Sequence, residues 1–217
     1  MDLINVHAVD ERMMRRCFAL GMESAKQGEY PYGAVIVRNG EVVAETTNRV
    51  ARDHDVTRHA EVVAICDAQK ALGSTSLDGC TIYANVEPCA FCCYAIRESR
   101  IARVVYAMRS PIMGGVSRWN ILGDRELSDT MPEVFAPPPE LVCNFLAEEA
   151  DATLQRSSPA TWAFIRMRGL LEAPARRDGT DRFATVKKPS GFAGAIGWLM
   201  PTLRKKFFDR FGRGGPS

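Results

Sequence analysis

Three side chains in two short stretches constrain the fold most. They are His59, in His59-Ala60-Glu61, and Cys89 and Cys92, in Pro88-Cys89-Ala90-Phe91-Cys92. One imidazole and two thiolates at this spacing can fill three of a zinc ion's four tetrahedral positions. The fourth is then open to water, as in a catalytic rather than a structural site. Any fold that uses the trio so must bring together segments about thirty residues apart. Glu61 stands two residues after the histidine, within reach of that water and able to move its protons. A zinc-activated hydroxide beside a carboxylate is hydrolytic chemistry. A structural zinc knuckle needs four protein ligands, and a redox C-x-x-C pair has no use for His-x-Glu.

The flanking sequence supplies elements able to make that convergence. Met13, Met14, Cys17, Phe18, Leu20 and Met22 recur on one broad face between Asp10 and Gly28, which predicts a helix stopped by the glycine. Gly33–Arg38 and Glu41–Thr47 are Val-rich strands joined by Asn39-Gly40, a strong hairpin signal because both residues tolerate positive φ. A polar loop, 48–56, leads to a helix over His59–Leu72, ended by Gly73. Cys80–Asn85 reads as a strand, Pro88–Arg97 as a helix opened by its proline, and Ile101–Ala107 as a further strand. The alternation implies a mixed sheet with helices on both faces. His59 and Glu61 then sit at one helix start and Cys89 and Cys92 at another, where free N–H groups and the positive dipole end favour thiolate over thiol.

H-x-E followed by P-C-x-x-C is the known signature of zinc-dependent nucleobase deaminases. With Tyr32-Gly33-Ala34-Val35-Ile36-Val37, Thr57-Arg58-His59-Ala60-Glu61-Val62 and Glu87-Pro88-Cys89-Ala90-Phe91-Cys92, the chain resembles the cytidine and deoxycytidylate deaminase superfamily over about residues 30–168. Within it, the chain is most similar to the branch of guanine deaminases and tRNA adenosine deaminases. The resemblance implies a three-layer α-β-α sandwich around a five-stranded mixed sheet, with a fifth strand near Glu140–Cys143 and closing helices over Asn144–Gln155 and Pro159–Arg168. It implies Zn2+ held by His59, Cys89 and Cys92, Glu61 as the catalytic proton carrier, and a homodimer.

Substrate contacts are implied for Asn48, Ala60 and Pro88, with Pro31–Ala34 as the pocket floor. Asn48 is open to two roles, base contact or turn residue. Glu87 has a supporting role behind the motif. Trp162, Ile165 and Met167 read as packing residues, and Cys17, Cys66, Cys80, Cys93 and Cys143 as small core residues. His54 is an exposed loop residue or lines the pocket.

Substrate choice in this family rests on the loop after the fourth strand, here Met108–Asp124. The aspartate that follows Ala-Arg in tRNA adenosine deaminases is replaced by Ser110, and the acids of guanine deaminases are not matched around Arg118-Trp119-Asn120. Trp119 can stack on a planar base and Asn120 can bond its edge; alternatively Trp119 anchors the loop. Three functions follow. The first is deamination of a free nucleobase or nucleoside carrying a guanine-, cytosine- or related ring. The second is conversion of adenosine to inosine in tRNA. The third is a zinc-binding scaffold without chemistry, which retention of Glu61 disfavours.

Charge separates the first two. Residues 1–172 carry 18 Lys and Arg against 23 Asp and Glu, a net −5, whereas residues 173–217 carry 10 against 3, a net +7. A polyanion such as RNA needs a basic face, so the acidic portion favours a small substrate, and only the tail offers RNA its electrostatics. The chain therefore divides into a deaminase domain, 1–172, a Pro-, Arg- and Lys-rich linker, 173–190, and a basic amphipathic tail, 191–217. The tail suits an anionic membrane surface or a partner protein, or has no dedicated role. Seven cysteines outside any disulfide framework, and no basic-then-apolar leader, fit a reducing cytoplasm.

Overall fold

A computed structural model describes residues 3–172. The expected linker and tail, 173–190 and 191–217, lie outside the described residues. Helix α1 (Leu3–Lys26) leads into strands β1 (Gly33–Arg38) and β2 (Glu41–Thr47). Then follow α2 (Ala60–Leu72), β3 (Cys80–Val86), α3 (Ala90–Glu98) and β4 (Arg103–Met108). A short α4 (Arg125–Thr130), β5 (Glu140–Val142), α5 (Ala147–Ser157) and α6 (Pro159–Met167) complete the described part.

The five strands form one sheet in the order β2-β1-β3-β4-β5. β1 runs antiparallel to β2 and β3, while β3, β4 and β5 are parallel. The hairpin turn has positive φ at both Asn39 (54°) and Gly40 (84°), as its sequence requires. Alternation along the strands divides the core in two. Ala34, Ile36, Ile82, Val104 and Tyr106 pack with Ala60, Ala64 and Ala68 of α2 and with Cys93 and Ile96 of α3. Val35, Val37, Tyr83, Val105 and Ala107 face Met13, Met14, Cys17 and Phe18 of α1, with Leu154 and Ile165 of α5 and α6. The architecture is the expected α-β-α sandwich, and the three alanines at four-residue spacing let α2 lie close on the sheet.

Several boundaries differ from those expected. α1 begins at Leu3 rather than Asp10, supported by a His7–Glu11 contact and by His7 edge-on to Phe145 at 5.5 Å. α5 begins at Ala147 rather than Asn144, because Asn144 and Leu146 hold left-handed φ of 58° and 56° that no α-helix admits. α3 starts two residues after Pro88, since Cys89 is extended. β4 starts at Arg103, after a left-handed Arg100.

Some side-chain expectations also require correction. Met167 is 63% exposed at the end of α6, and Cys143, one residue past β5, is exposed. Cys66 is half-buried, whereas Cys17, Cys80 and Cys93 are fully buried as expected. Ile165 is buried, and half-buried Trp162 donates through Nε1 to Asp151 at 2.9 Å. His54 is exposed. No helix among the described residues is long and apolar enough to cross a membrane.

Candidate active site

His59 and Cys89 are the N-cap residues of α2 and α3. Both backbones are extended there, and neither side chain caps its own helix. That leaves both side chains available to a shared ligand. The approach to His59 is shaped locally. Asp55 accepts from the backbone N–H and hydroxyl of Thr57 at 2.8 and 2.7 Å, and Arg49 N–H donates to the Arg58 carbonyl at 2.9 Å. Cys92 lies in the first turn of α3, fully buried.

These elements bring the three predicted ligands together. His59 Nδ1 lies 3.5 Å from Cys89 Sγ and 3.4 Å from Cys92 Sγ, and the two sulfurs are 3.5 Å apart. A tetrahedral zinc with Zn–S of about 2.3 Å and Zn–N of about 2.0 Å requires edges of roughly 3.5–3.8 Å. The triangle matches within a few tenths of an ångström, and its soft sulfur and imidazole donors suit the same ion, so the cluster fits Zn2+.

The electrostatics agree. Hydrogen bonds from Cys92, then from His59, lower Cys89, while Cys92, which donates and is buried, rises well above the usual thiol range. A dication held by these residues would displace the thiol proton of Cys92. Glu61 is buried in the first turn of α2, and burial, with the Cys89 charge next, pushes its carboxyl up to about 7. Phe91 meets the His59 ring edge-on at 5.7 Å and is 46% exposed.

The residues expected to contact substrate fare differently. Asn48 is buried, and its Nδ2 donates to Glu29 Oε2 at 2.8 Å. Glu29 also accepts from Ala51 and Arg52 N–H, at 3.1 and 2.7 Å, and so fixes the start of the 48–58 loop. Nothing in the sequence around Gly28-Glu29 marked that carboxylate. Ala60 is buried and its carbonyl accepts from Thr46 Oγ1 at 2.7 Å. The Pro88 carbonyl accepts from Gly115 N–H at 2.8 Å and the Cys93 thiol at 3.4 Å.

Trp119 is 56% exposed, with the Arg118 guanidinium 5.2 Å from its ring centre, so it is not a packed anchor. Asn120 is exposed with φ 52°. Tyr32, within the expected floor, stacks on Tyr30 at 5.7 Å; burial raises its hydroxyl, and the charges of Tyr30, Glu61 and Cys89 add to that.

Comparison with known proteins agrees with this geometry. Residues 7–108 match the family model of the cytidine and deoxycytidylate deaminase zinc-binding region. A tRNA-specific adenosine deaminase of Bacillus subtilis (strain 168) is 35% identical over 147 residues, which is 67% of this chain and 86% of that protein. A guanine deaminase of the same organism is 43% identical over 98 residues, 45% of this chain and 63% of that one. A solved structure from a study of A-to-I editing by tRNA:A34 deaminases superposes with a TM-score of 0.60 at 30% identity, covering 66% of this chain and 99% of that one. Helix-start ligands at zinc-fitting distances, the sandwich that presents them and these relationships agree: the chain belongs to the cytidine and deoxycytidylate deaminase family.

Proposed function

We propose that the protein is a hydrolytic deaminase of a free nucleobase or nucleoside, with His59, Cys89 and Cys92 holding zinc and Glu61 moving the protons. When bound, zinc supplies Lewis acidity that brings the pKa of a water in its open position toward neutrality. Glu61 is buried two residues after the histidine ligand, where it takes one proton from the attacking water and gives it to the ring nitrogen. It then carries the remaining hydroxyl proton to the amino nitrogen. The C–N bond breaks, ammonia leaves and the ring carbon becomes a carbonyl. Water and an aminated ring are consumed, and no oxidant or reductant is needed.

Charge carries the choice of a small substrate. Residues 1–172 are net acidic, and the cations of the loop before His59 are paired within it: Arg49 with Asp53 at 2.9 Å and Arg58 with Asp55 at 3.0 Å. A polyphosphate backbone finds little unpaired positive charge there. A second reading, adenosine in tRNA, is favoured by the extent of similarity to the Bacillus subtilis tRNA-specific enzyme and by exposed Trp119 beside Arg118, a surface on which a flanking base can stack.

Ammonia release by zinc-loaded protein tests the assignment. Guanine, cytosine, adenine, their nucleosides and triazine analogues form one arm, and unmodified tRNA the other. Turnover of a small ring supports the proposal. Inosine formed only in tRNA overturns it in favour of the second reading.

A further inference from the structure

We propose that Glu87 is a positioning residue that sets substrate selectivity by holding the 108–124 loop, with Trp119 and Asn120, against the zinc-binding turn. The inference rests on reading the His59–Cys89–Cys92 cluster as a deaminase site. Glu87 directly follows β3, and its N–H donates to the Met108 carbonyl at the end of β4, at 2.8 Å. Its side chain is buried and accepts four hydrogen bonds. Oε1 receives the N–H groups of Val116 and Ser117, at 3.0 and 2.6 Å. Oε2 receives the Ser110 N–H at 2.8 Å and the Ser117 hydroxyl at 2.6 Å.

All four donors belong to the loop, and three are backbone N–H groups of irregular chain. A buried N–H without a partner is costly, so the carboxylate selects the one loop path that presents all three. Contacts on either side follow the same path. Gly115 N–H donates to the Pro88 carbonyl at 2.8 Å, and Gly114 forms a bridge with Cys89. Gly114 lies so close that a Cβ there would stand 2.2 Å from the Glu87 carboxylate. Ser117 Oγ, while donating to Glu87, accepts from Arg109 Nε at 2.7 Å, and Ser110 Oγ donates to the Leu170 carbonyl at 2.7 Å. Glu87 thus joins the start and the middle of the loop to the residue pair Pro88-Cys89, and acts on substrate only through the loop.

Glu87→Gln retains the shape but replaces one acceptor oxygen with an NH2, leaving a loop N–H facing a donor. The test uses the full-length, zinc-loaded chain. Amide hydrogen exchange over 110–121 is expected to accelerate by about tenfold. Exchange in the sheet and zinc content are expected to stay unchanged. With a small ring as substrate, KM is expected to rise about tenfold and the ratio of rates between two rings to change, while kcat moves far less.

Unchanged loop exchange in Glu87→Gln overturns the proposal. So does loss of zinc, or acceleration spread evenly through the domain, because either marks a merely structural carboxylate. Should Glu87→Gln fail to fold, Ser117→Ala removes the hydroxyl that donates to Glu87 and accepts from Arg109, and an unaltered loop in that variant equally overturns the proposal. Exchange and zinc content need no substrate, so a failed substrate assignment is told apart from a failed role for Glu87.

Discussion

At the scale of single residues, the site separates groups that bind from groups that react. Glu61→Gln keeps the volume and removes the carboxylate proposed to carry the protons. Turnover is expected to fall by about 10²–10⁴-fold, with zinc content by metal analysis unchanged. Cys89→Ala removes one of three ligand atoms that lie within 3.5 Å of one another, and zinc content itself is expected to drop. Gly114→Ala sets a methyl group against the Glu87 carboxylate, and a loss of about 1–3 kcal/mol is expected in denaturant unfolding. The cluster of His59, Cys89 and Cys92 was legible because its spacing carries the chemistry. Asn48 was legible only as an asparagine at the end of β2; that it is held by Glu29 depends on a contact between a turn and a loop 19 residues away.

At the scale of elements, packing on both faces of the sheet and a few buried polar ties decide what is rigid. Ile82 is fully buried in the centre of β3, which leads directly into the zinc motif. Ile82→Ala is expected to cost about 2–5 kcal/mol, read as a lowered denaturation midpoint. Arg97 of α3 is buried and donates to the carbonyls of Ile121, Asp124 and Ala136 at 2.7–3.1 Å, organising the chain around α4. Periodicity marked Arg97 only as a residue near a helix end. Its role arises from backbone carbonyls that have no sequence signature.

On the other face, Arg16 of α1 donates to Glu45 of β2 at 2.7 Å, and that bond holds the Glu45 carboxyl below its usual value of 4.5. A lowered folded-state pKa adds stability above the unfolded value and loses it as pH falls through the folded one. Wild type and Glu45→Gln are therefore expected to differ slightly in stability at neutral pH, by under about 1 kcal/mol after solvent screening, seen as a small shift in Tm. The difference should vanish in thermal scans well below pH 4.5.

At the scale of the whole molecule, acidic and basic charge are segregated along the chain, net −5 over residues 1–172 and net +7 over residues 173–217. Removing 173–217 is expected to leave zinc content and small-ring turnover largely intact; a collapse of either, measured on purified truncated protein, would assign the tail to the catalytic unit. The sequence alone determined the family, the layered α/β class, the hairpin and the three zinc-fitting side chains, because periodicity, turn chemistry and ligand spacing are local properties of the chain. The tertiary structure decided what surrounds them. The exposure of Trp119, the left-handed residues that delay α5, the grip of Glu29 on Asn48 and of Glu87 on the 108–124 loop all depend on groups far apart in sequence. Their partners are mostly backbone N–H and carbonyl groups, which every residue carries, so only the folded path of the chain determines which of them meet.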